Sequence, residues 1–158
     1  MPTMTDPYEG LVSFVQAYEH GIISVAKCTL HEDLYILHDD AEGTPRLTYA
    51  SIVNGVVQGI AIYVQAEPVE GTPCFALGYA VLPEFRNQRI GTSLVEKSLS
   101  EIQHGFKKYI PTFFVEAVIS QSNVHSNKIA NKLLSSEPKS CRDSLSGEPA
   151  YQYLKLLA

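Results

Sequence analysis

The spacing of hydrophobic residues changes from a helical to a strand-like period near Asp33. Between Tyr8 and His20, apolar residues recur at helical spacing, and a glycine follows where a C-terminal cap would stand. The segment Val25–Glu32 fits either a second helix or irregular chain. Four runs rich in Val, Ile, Tyr and Phe then predict an antiparallel meander of strands. The runs are Asp33–His38, Arg46–Val53, Val56–Gln65 and Cys74–Leu82.

Two connections inside this meander carry turn signals. Asn54-Gly55 stands between two strand-like runs and favours a type I′ hairpin, because both residues tolerate positive φ angles. The next connection, AEPVEGTP, carries two prolines and a glycine. We expect it to form a longer hairpin loop.

The second half of the chain alternates between helical and strand-like patterns. Apolar residues from Ile90 to Leu99 recur at helical spacing, which predicts a helix that runs to Gly105. The apolar run Thr112–Ile119 predicts a buried strand. SNVHSNKIANKLL starts with capping residues and predicts a helix, and the last segment predicts a strand, a Ser-Gly turn and a strand. This order predicts an α+β (mixed α/β) fold, and we expect one domain over residues 1–158 because no repeat or linker divides it.

Composition narrows the functional classes. Of 158 residues, 45% are hydrophobic and 18% are charged, which is typical of a globular protein. The formal net charge of −5 argues against non-specific binding to nucleic acid. The sequence has no run of about 18 apolar residues, so we expect no membrane-spanning helix. The three cysteines lack metal-ligand spacing, and without a secretory signal pattern they predict reduced thiols in the cytoplasm.

The stretch LPEFRNQRIGTSLVEKSL joins a predicted strand to a predicted helix through a turn rich in cationic and flexible residues. The first amides of a helix have no partner within the helix, so with the helix dipole they can bind an anion. Gly91 allows close approach, and Asn87 tolerates a left-handed backbone. Arg86 and Arg89 suit phosphate oxygens, and Thr92 adds a hydroxyl. From these residues alone, a phosphate site and a plain helix start with solvated charges both remain open.

The same stretch resembles the cofactor-binding segment of the GNAT superfamily of N-acetyltransferases. That pattern is a hydrophobic strand, often ending V-x-P-x-x-R, whose arginine opens Arg-x-x-Gly-x-Gly or Ala before a helix. Val81, Pro83, Arg86 and Gly91 fit the pattern. Arg89 stands where the family has its first glycine.

A second segment, NVHSNKIANKLL, resembles the family pattern N-x-x-(Ser or Ala)-x-x-(aliphatic)-x-x-Lys-Leu. The matching residues are Asn123, Ser126, Ile129, Lys132 and Leu133. The two matches have the expected order, with one helix and one strand between them. Together they cover Tyr79 to Leu134.

The resemblance implies a central, mostly antiparallel twisted sheet with a splayed strand pair, flanked by helices. It implies acetyl-CoA as co-substrate and direct attack of an amine on the thioester in a ternary complex. The backbone of Val81 would hold the pantetheine arm, and Asn123 would contact that arm or order the strand–helix junction. The turn would hold the pyrophosphate through Arg86, Asn87, Gln88, Arg89, Ile90, Gly91 and Thr92.

The resemblance also implies a catalytic acid, which this sequence places differently. Many family members carry a tyrosine seven residues after the motif asparagine, where this chain has Ala130. Ser126 is one candidate for the acid, because some relatives use a serine where the tyrosine is missing. The alternative is a helix serine whose hydroxyl binds a backbone carbonyl.

A general base is less defined. Glu116 interrupts an apolar run, where a carboxylate with a perturbed pKa would suit a base, but it also fits an outward-facing polar position on a strand. His125 falls in the first turn of the last helix, as a capping-region or acceptor-site residue. Tyr151 and Tyr153 share one strand face and would line the acceptor site or pack in the core.

The leading interpretation is an N-acetyltransferase that acts on a primary amine of a small molecule or a peptide. The alternative is a non-catalytic acyl-CoA-binding or protein-interaction module of the same fold, which Ala130 and Arg89 motivate. A phosphate-binding domain of unrelated class would make the second motif a coincidence. No nucleic-acid or membrane partner is expected. An exposed strand edge at the splayed pair or the C-terminal hairpin would allow a homodimer.

Overall fold

The computed structural model describes residues 7–41 and 43–158. Within them, three α-helices flank an eight-stranded sheet. The helices are α1 (Pro7–Glu19), α2 (Ile90–Phe106) and α3 (Val124–Leu133). The strands are β1 (Ala26–Lys27), β2 (Leu34–Ala41), β3 (Thr44–Val53), β4 (Val56–Val69), β5 (Thr72–Val81), β6 (Phe113–Ser120), β7 (Lys139–Arg142) and β8 (Pro149–Leu157). A short 3₁₀ helix, Pro83–Phe85, lies between β5 and α2.

The sheet has the strand order β1-β2-β3-β4-β5-β6-β8-β7, and every neighbouring pair is antiparallel except β5 and β6. β5 and β6 pair only from Cys74 opposite Phe114 to Ala76 opposite Glu116. Beyond that point β5 runs on to Val81 and β6 to Ser120 without pairing with each other. The splayed pair is therefore confirmed, and we call the space between residues 77–81 and 117–120 the gap.

The two faces of the sheet carry different helices. On one face, Leu11 and Phe14 of α1 pack with Ala50, Ile52 and Ile60, and we call this the α1 face. On the other face, apolar residues of α2 and α3 pack with alternate residues of β5, β6 and β8, and we call this the α2–α3 face. Both faces of the gap are therefore bordered by helices. No helix among the described residues is long and apolar enough to cross a membrane.

The predicted elements form, with two differences in the connections. Asn54 and Gly55 have φ angles of 51° and 77°, as the predicted hairpin requires. The expected longer loop at AEPVEGTP is wrong, because β4 and β5 extend into it and leave a tight turn at Glu70-Gly71, where φ is 49° and 82°. The segment Val25–Glu32 forms no helix and contributes only the short strand β1.

A buried carboxylate on α2 fixes the irregular segment that precedes β2. Glu101 is 5% exposed. Its Oε2 accepts hydrogen bonds from the backbone N–H of Leu30 at 3.0 Å and of His31 at 2.7 Å, and it lies 2.7 Å from His31 Nδ1. An unpaired carboxylate would be costly at this depth, so these partners stabilise the loop against the helix.

Candidate cofactor and catalytic site

The end of β5 turns backbone groups that do not pair with β6 towards the gap. Val81 stands opposite Gly59 of β4, and the next residue, Leu82, donates its N–H to the carbonyl of Gln58 at 2.9 Å. Hydrogen-bonded and non-hydrogen-bonded pairs alternate along an antiparallel ladder. The N–H and C=O of Val81, and those of Tyr79 two residues earlier, therefore point away from β4 and into the gap. This edge can bind an extended, amide-bearing chain in the manner of another strand.

The turn between β5 and α2 collects free backbone amides. Asn87 and Arg89 both adopt left-handed conformations, with φ angles of 62° and 61°. Arg89 is the N-cap of α2 and makes no side-chain cap. Among the hydrogen bonds of the described residues, none is donated by the backbone amides of residues 87–92. These amides and the positive end of the helix dipole can bind an anion, and we call this group of amides the seat.

Gly91 has a packing reason in addition to its place in this seat. It is buried in the first turn of α2, and a Cβ there would approach Ile129 Cδ1 to 3.0 Å and Val81 Cγ2 to 3.4 Å. Glycine thus lets α2 approach α3 and β5 closely. From the sequence, Gly91 was predicted only to allow the close approach of an anion.

Two side chains of the turn make hydrogen bonds to backbone carbonyls of the same chain. The Nε of Arg86 donates to the gap-facing carbonyl of Val81 at 3.1 Å, and its guanidinium lies 5.5 Å from the centre of the Tyr8 ring. The Nε2 of Gln88 donates to the carbonyl of Glu84 at 3.2 Å. Arg86 therefore ties the turn to α1 and to the edge of β5, and its charge remains beside the amides of the turn.

One shallow depression brings most of the predicted cofactor residues together. Its lining is Val81, Phe85, Arg86, Asn87, Arg89, Ile90, Gly91, Thr92 and His125. Gln88 instead lines a neighbouring groove between α2 and strands β2 to β4. His125, predicted as a capping-region or acceptor-site residue, is in the first turn of α3 and also lines this depression. Its sequence position alone did not show that α3 starts there.

Asn123 orders the junction between β6 and α3. It is the N-cap of α3, and its Oδ1 accepts the N–H of Ser126 at 3.1 Å. Its own N–H donates to the carbonyl of Ser120 at 3.0 Å. The second of the two predicted roles, ordering the strand–helix junction, is therefore the one seen in these contacts.

Ser126 lies in the first turn of α3 and is half-buried. Its hydroxyl makes no hydrogen bond with the part of the protein that the structure describes, and its backbone carbonyl accepts the hydroxyl of Tyr79 at 2.6 Å. The alternative prediction, in which the hydroxyl of Ser126 binds a backbone carbonyl, is therefore not observed. Ala130, at the position of the family tyrosine, is fully buried.

Glu116 lies where the gap begins to open, on the opposite face from Ser126. Phe113, Val115 and Ala117 belong to the core of the α2–α3 face, so alternation turns Glu116 to the α1 face. The carboxylate is half-buried, and its Oε2 accepts Nε2 of Gln152 at 2.6 Å. The structure therefore places the two catalytic candidates on opposite faces of the sheet rather than side by side.

The thiol of Cys74 lies on β5 where that strand still pairs with β6. Burial raises the pKa of the Cys74 thiol to about 11, and the charge of Glu116 adds to this shift. The thiol is therefore protonated near neutral pH. The residues that the structure describes hold no cluster of three His, Cys, Asp or Glu side chains suited to a metal ion.

Solved structures with this fold include several acetyltransferases at low sequence identity. A GNAT-family acetyltransferase from Streptococcus pneumoniae is 14% identical, with a TM-score of 0.54 and 98% of each chain covered. A chimera of the Vibrio cholerae spermidine N-acetyltransferase SpeG and hSSAT is 9% identical, with a TM-score of 0.55, and the match covers 70% of this chain and 69% of that one. RimL, an α-N-protein acetyltransferase in complex with coenzyme A, is 15% identical, with a TM-score of 0.55.

The RimL match covers 71% of this chain and 62% of RimL, so the chain spans less than two thirds of that protein's length. At these identities the structures establish the fold alone. No curated protein sequence matches the chain. The model of the acetyltransferase (GNAT) family matches residues 13–133, which is most of the chain. The chain therefore belongs to the GNAT family of acetyltransferases.

Proposed function

We propose that the protein is an acetyl-CoA-dependent N-acetyltransferase that passes the acetyl group to a primary amine by direct attack in a ternary complex. Acetyl-CoA is the acetyl donor of this family. The observation that carries the proposal is the set of free amides at residues 87–92, directly beside a strand edge that does not pair with β6. The seat for a diphosphate thus adjoins a channel for a thin, amide-bearing chain.

The cofactor residues follow from this arrangement. The backbone of Val81 pairs with the pantetheine arm in the gap, and the amides of Asn87 to Thr92 hold the pyrophosphate. Arg86 and Arg89 contribute positive charge at the turn. Asn123 holds the start of α3 in place. The full proposed set is Val81, Arg86, Asn87, Gln88, Arg89, Ile90, Gly91, Thr92 and Asn123.

The two substrates approach the gap from opposite faces of the sheet. A donor seated in the turn lies on the α2–α3 face, so its thioester would meet an amine that approaches from the α1 face through the gap. Glu116 then accepts the proton that the attacking amine loses. Ser126 lies on the donor side, where a hydroxyl can donate a proton to the departing thiolate. The main contribution of the protein is to orient the two substrates.

The acceptor is a small-molecule or peptide amine. Similar folds belong to enzymes whose names specify spermidine or a protein α-amine as the acceptor. The net charge of −5 mildly favours a cationic acceptor. The proposal includes a single acyltransferase domain. The free cysteines favour a cytoplasmic location. An exposed strand edge would support a homodimer.

A turnover screen tests the activity. Release of coenzyme A thiol is measured against polyamines, amino acids, aminoglycosides and peptide N-termini, after calorimetry has measured acetyl-CoA binding. Saturable binding with acceptor-dependent thiol release supports the enzyme. No binding at millimolar acetyl-CoA would refute the proposal.

A non-catalytic acyl-CoA-binding or protein-interaction module is the second candidate. It is favoured by Ala130, which is fully buried where the family tyrosine would stand, and by the left-handed Arg89 at the position of the family glycine. Tight acetyl-CoA binding without thiol release across the amine panel would support this candidate over the enzyme.

A further inference from the structure

A single tyrosine hydroxyl bridges the two sides of the gap on the α2–α3 face. Tyr79 belongs to β5, one wall of the gap, in the part of the strand that no longer pairs with β6. Its hydroxyl donates to the backbone carbonyl of Ser126 at 2.6 Å. Ser126 belongs to α3, the helix that follows the other wall. Among the described residues, this is the only side-chain hydrogen bond between β5 and α3.

The surroundings of Tyr79 keep this bond formed. The residue is 8% exposed, and its ring packs in the same core as Leu77, Ala117 and Ile129. Burial raises the pKa of the hydroxyl far above its ordinary value, and the nearby Tyr153 adds to this shift. The hydroxyl therefore remains a protonated donor throughout the pH range in which the protein would be assayed.

A second tyrosine provides an internal comparison. Tyr153 of β8 also donates its hydroxyl to α3, to Oδ1 of Asn127 at 2.7 Å and more weakly to the carbonyl of the same residue at 3.4 Å. However, β8 pairs with β6 along the whole length of that strand. The Tyr153 bond therefore holds α3 to its own side of the gap, whereas the Tyr79 bond crosses the gap.

We propose that Tyr79 is a positioning residue that sets the width of the gap at its open end. By holding the carbonyl of Ser126, it also fixes where the Ser126 hydroxyl lies relative to a thioester in the gap. This inference rests on the proposed acetyl-CoA site. A ligand that contacts both walls of the gap depends on this spacing, whereas a ligand that occupies only the turn does not.

The test compares Tyr79→Phe with Tyr153→Phe in the full chain. Each variant keeps its ring and loses the hydroxyl that bonds to α3, so both lower the thermal midpoint by a similar few degrees, about 2–4 °C. Calorimetry then measures the Kd of acetyl-CoA, which spans the turn and the gap, and of ADP, which carries a diphosphate for the turn alone.

We expect Tyr79→Phe to weaken acetyl-CoA binding by roughly three- to tenfold and to leave ADP binding unchanged. Tyr153→Phe should leave both affinities unchanged. Equal losses in the two variants, or an equal loss of both ligands in Tyr79→Phe, would show a general structural role and overturn the inference. If the unaltered protein binds ADP but not acetyl-CoA, the proposed function fails and this inference with it. Normal acetyl-CoA binding by Tyr79→Phe refutes the inference alone.

Discussion

Replacing Arg89 with glycine should stabilise the protein, because Arg89 holds a backbone conformation that favours glycine. Its φ and ψ angles are 61° and 15°, in the left-handed region. In that region the Cβ of an L-residue crowds the following carbonyl oxygen. The family pattern places glycine at this position, and the observed backbone gives the physical reason.

The expected gain is a balance of two terms. Removing the Cβ relieves a strain of about 1–2 kcal/mol for a non-glycine residue in the left-handed region. The added freedom of glycine in the unfolded chain costs about 0.5–1 kcal/mol. At the midpoints of these two ranges the free energy of unfolding should rise by about 0.7 kcal/mol, which for a chain of this length raises the thermal midpoint by about 1–3 °C.

Thermal and urea unfolding of Arg89→Gly and Arg89→Ala would measure this gain. The alanine variant loses the same guanidinium but keeps the Cβ, so its stability should stay within about 0.5 kcal/mol of the parent. Asn87→Gly, at a φ of 62°, is a second comparison. Because asparagine tolerates this conformation better than arginine, its gain should be smaller. An Arg89→Gly variant no more stable than Arg89→Ala would refute the reasoning.

Three further predictions concern packing and buried polar groups. Gly91→Ala should lower the free energy of unfolding by about 1 kcal/mol. Ile129→Val removes the carbon at 3.0 Å, so adding it to Gly91→Ala should restore part of that loss in a double-mutant cycle. Strictly additive effects of the two substitutions would argue against this contact. Glu101→Gln should lower the free energy of unfolding in urea by about 1–3 kcal/mol, whereas Glu96→Gln, at an exposed position, should change it little. Equal effects of the two substitutions would mean that the hydrogen bonds of Glu101 do not stabilise the loop. Cys74 should resist iodoacetamide at pH 8 until the protein unfolds, because its pKa of about 11 keeps the thiol protonated; rapid labelling in native protein would contradict this.

The helices and most strands could be predicted because each has a local signal. The period of apolar residues set the elements, and Asn54-Gly55 set a hairpin. AEPVEGTP misled because its prolines suggested a loop. Pro68 instead lies within β4 where the pairing register shifts, between Ala66 and Val69, and a strand tolerates proline at such an irregularity. Glu70 then adopts the positive φ of a tight turn.

The turn of the candidate site could also be predicted, because its amides and cations are contiguous in sequence. The groups that complete the site come from distant segments. His125 lines the same depression only because α3 begins beside the turn, and the hydroxyl of Tyr79 reaches Ser126 across 47 residues of sequence. Glu101 carried no sequence signal, since a carboxylate on a helix is ordinarily solvated. Such contacts depend on how the elements pack.

The central claim is that the amides of residues 87–92 and the gap edge of β5 together hold acetyl-CoA. Amide NMR spectra recorded during a titration of the isotope-labelled protein with acetyl-CoA test it most directly. We expect saturable shifts of the amide resonances of Asn87 to Thr92, together with those of Tyr79 and Val81. Shifts confined to other parts of the sheet, or none at millimolar acetyl-CoA, would contradict it.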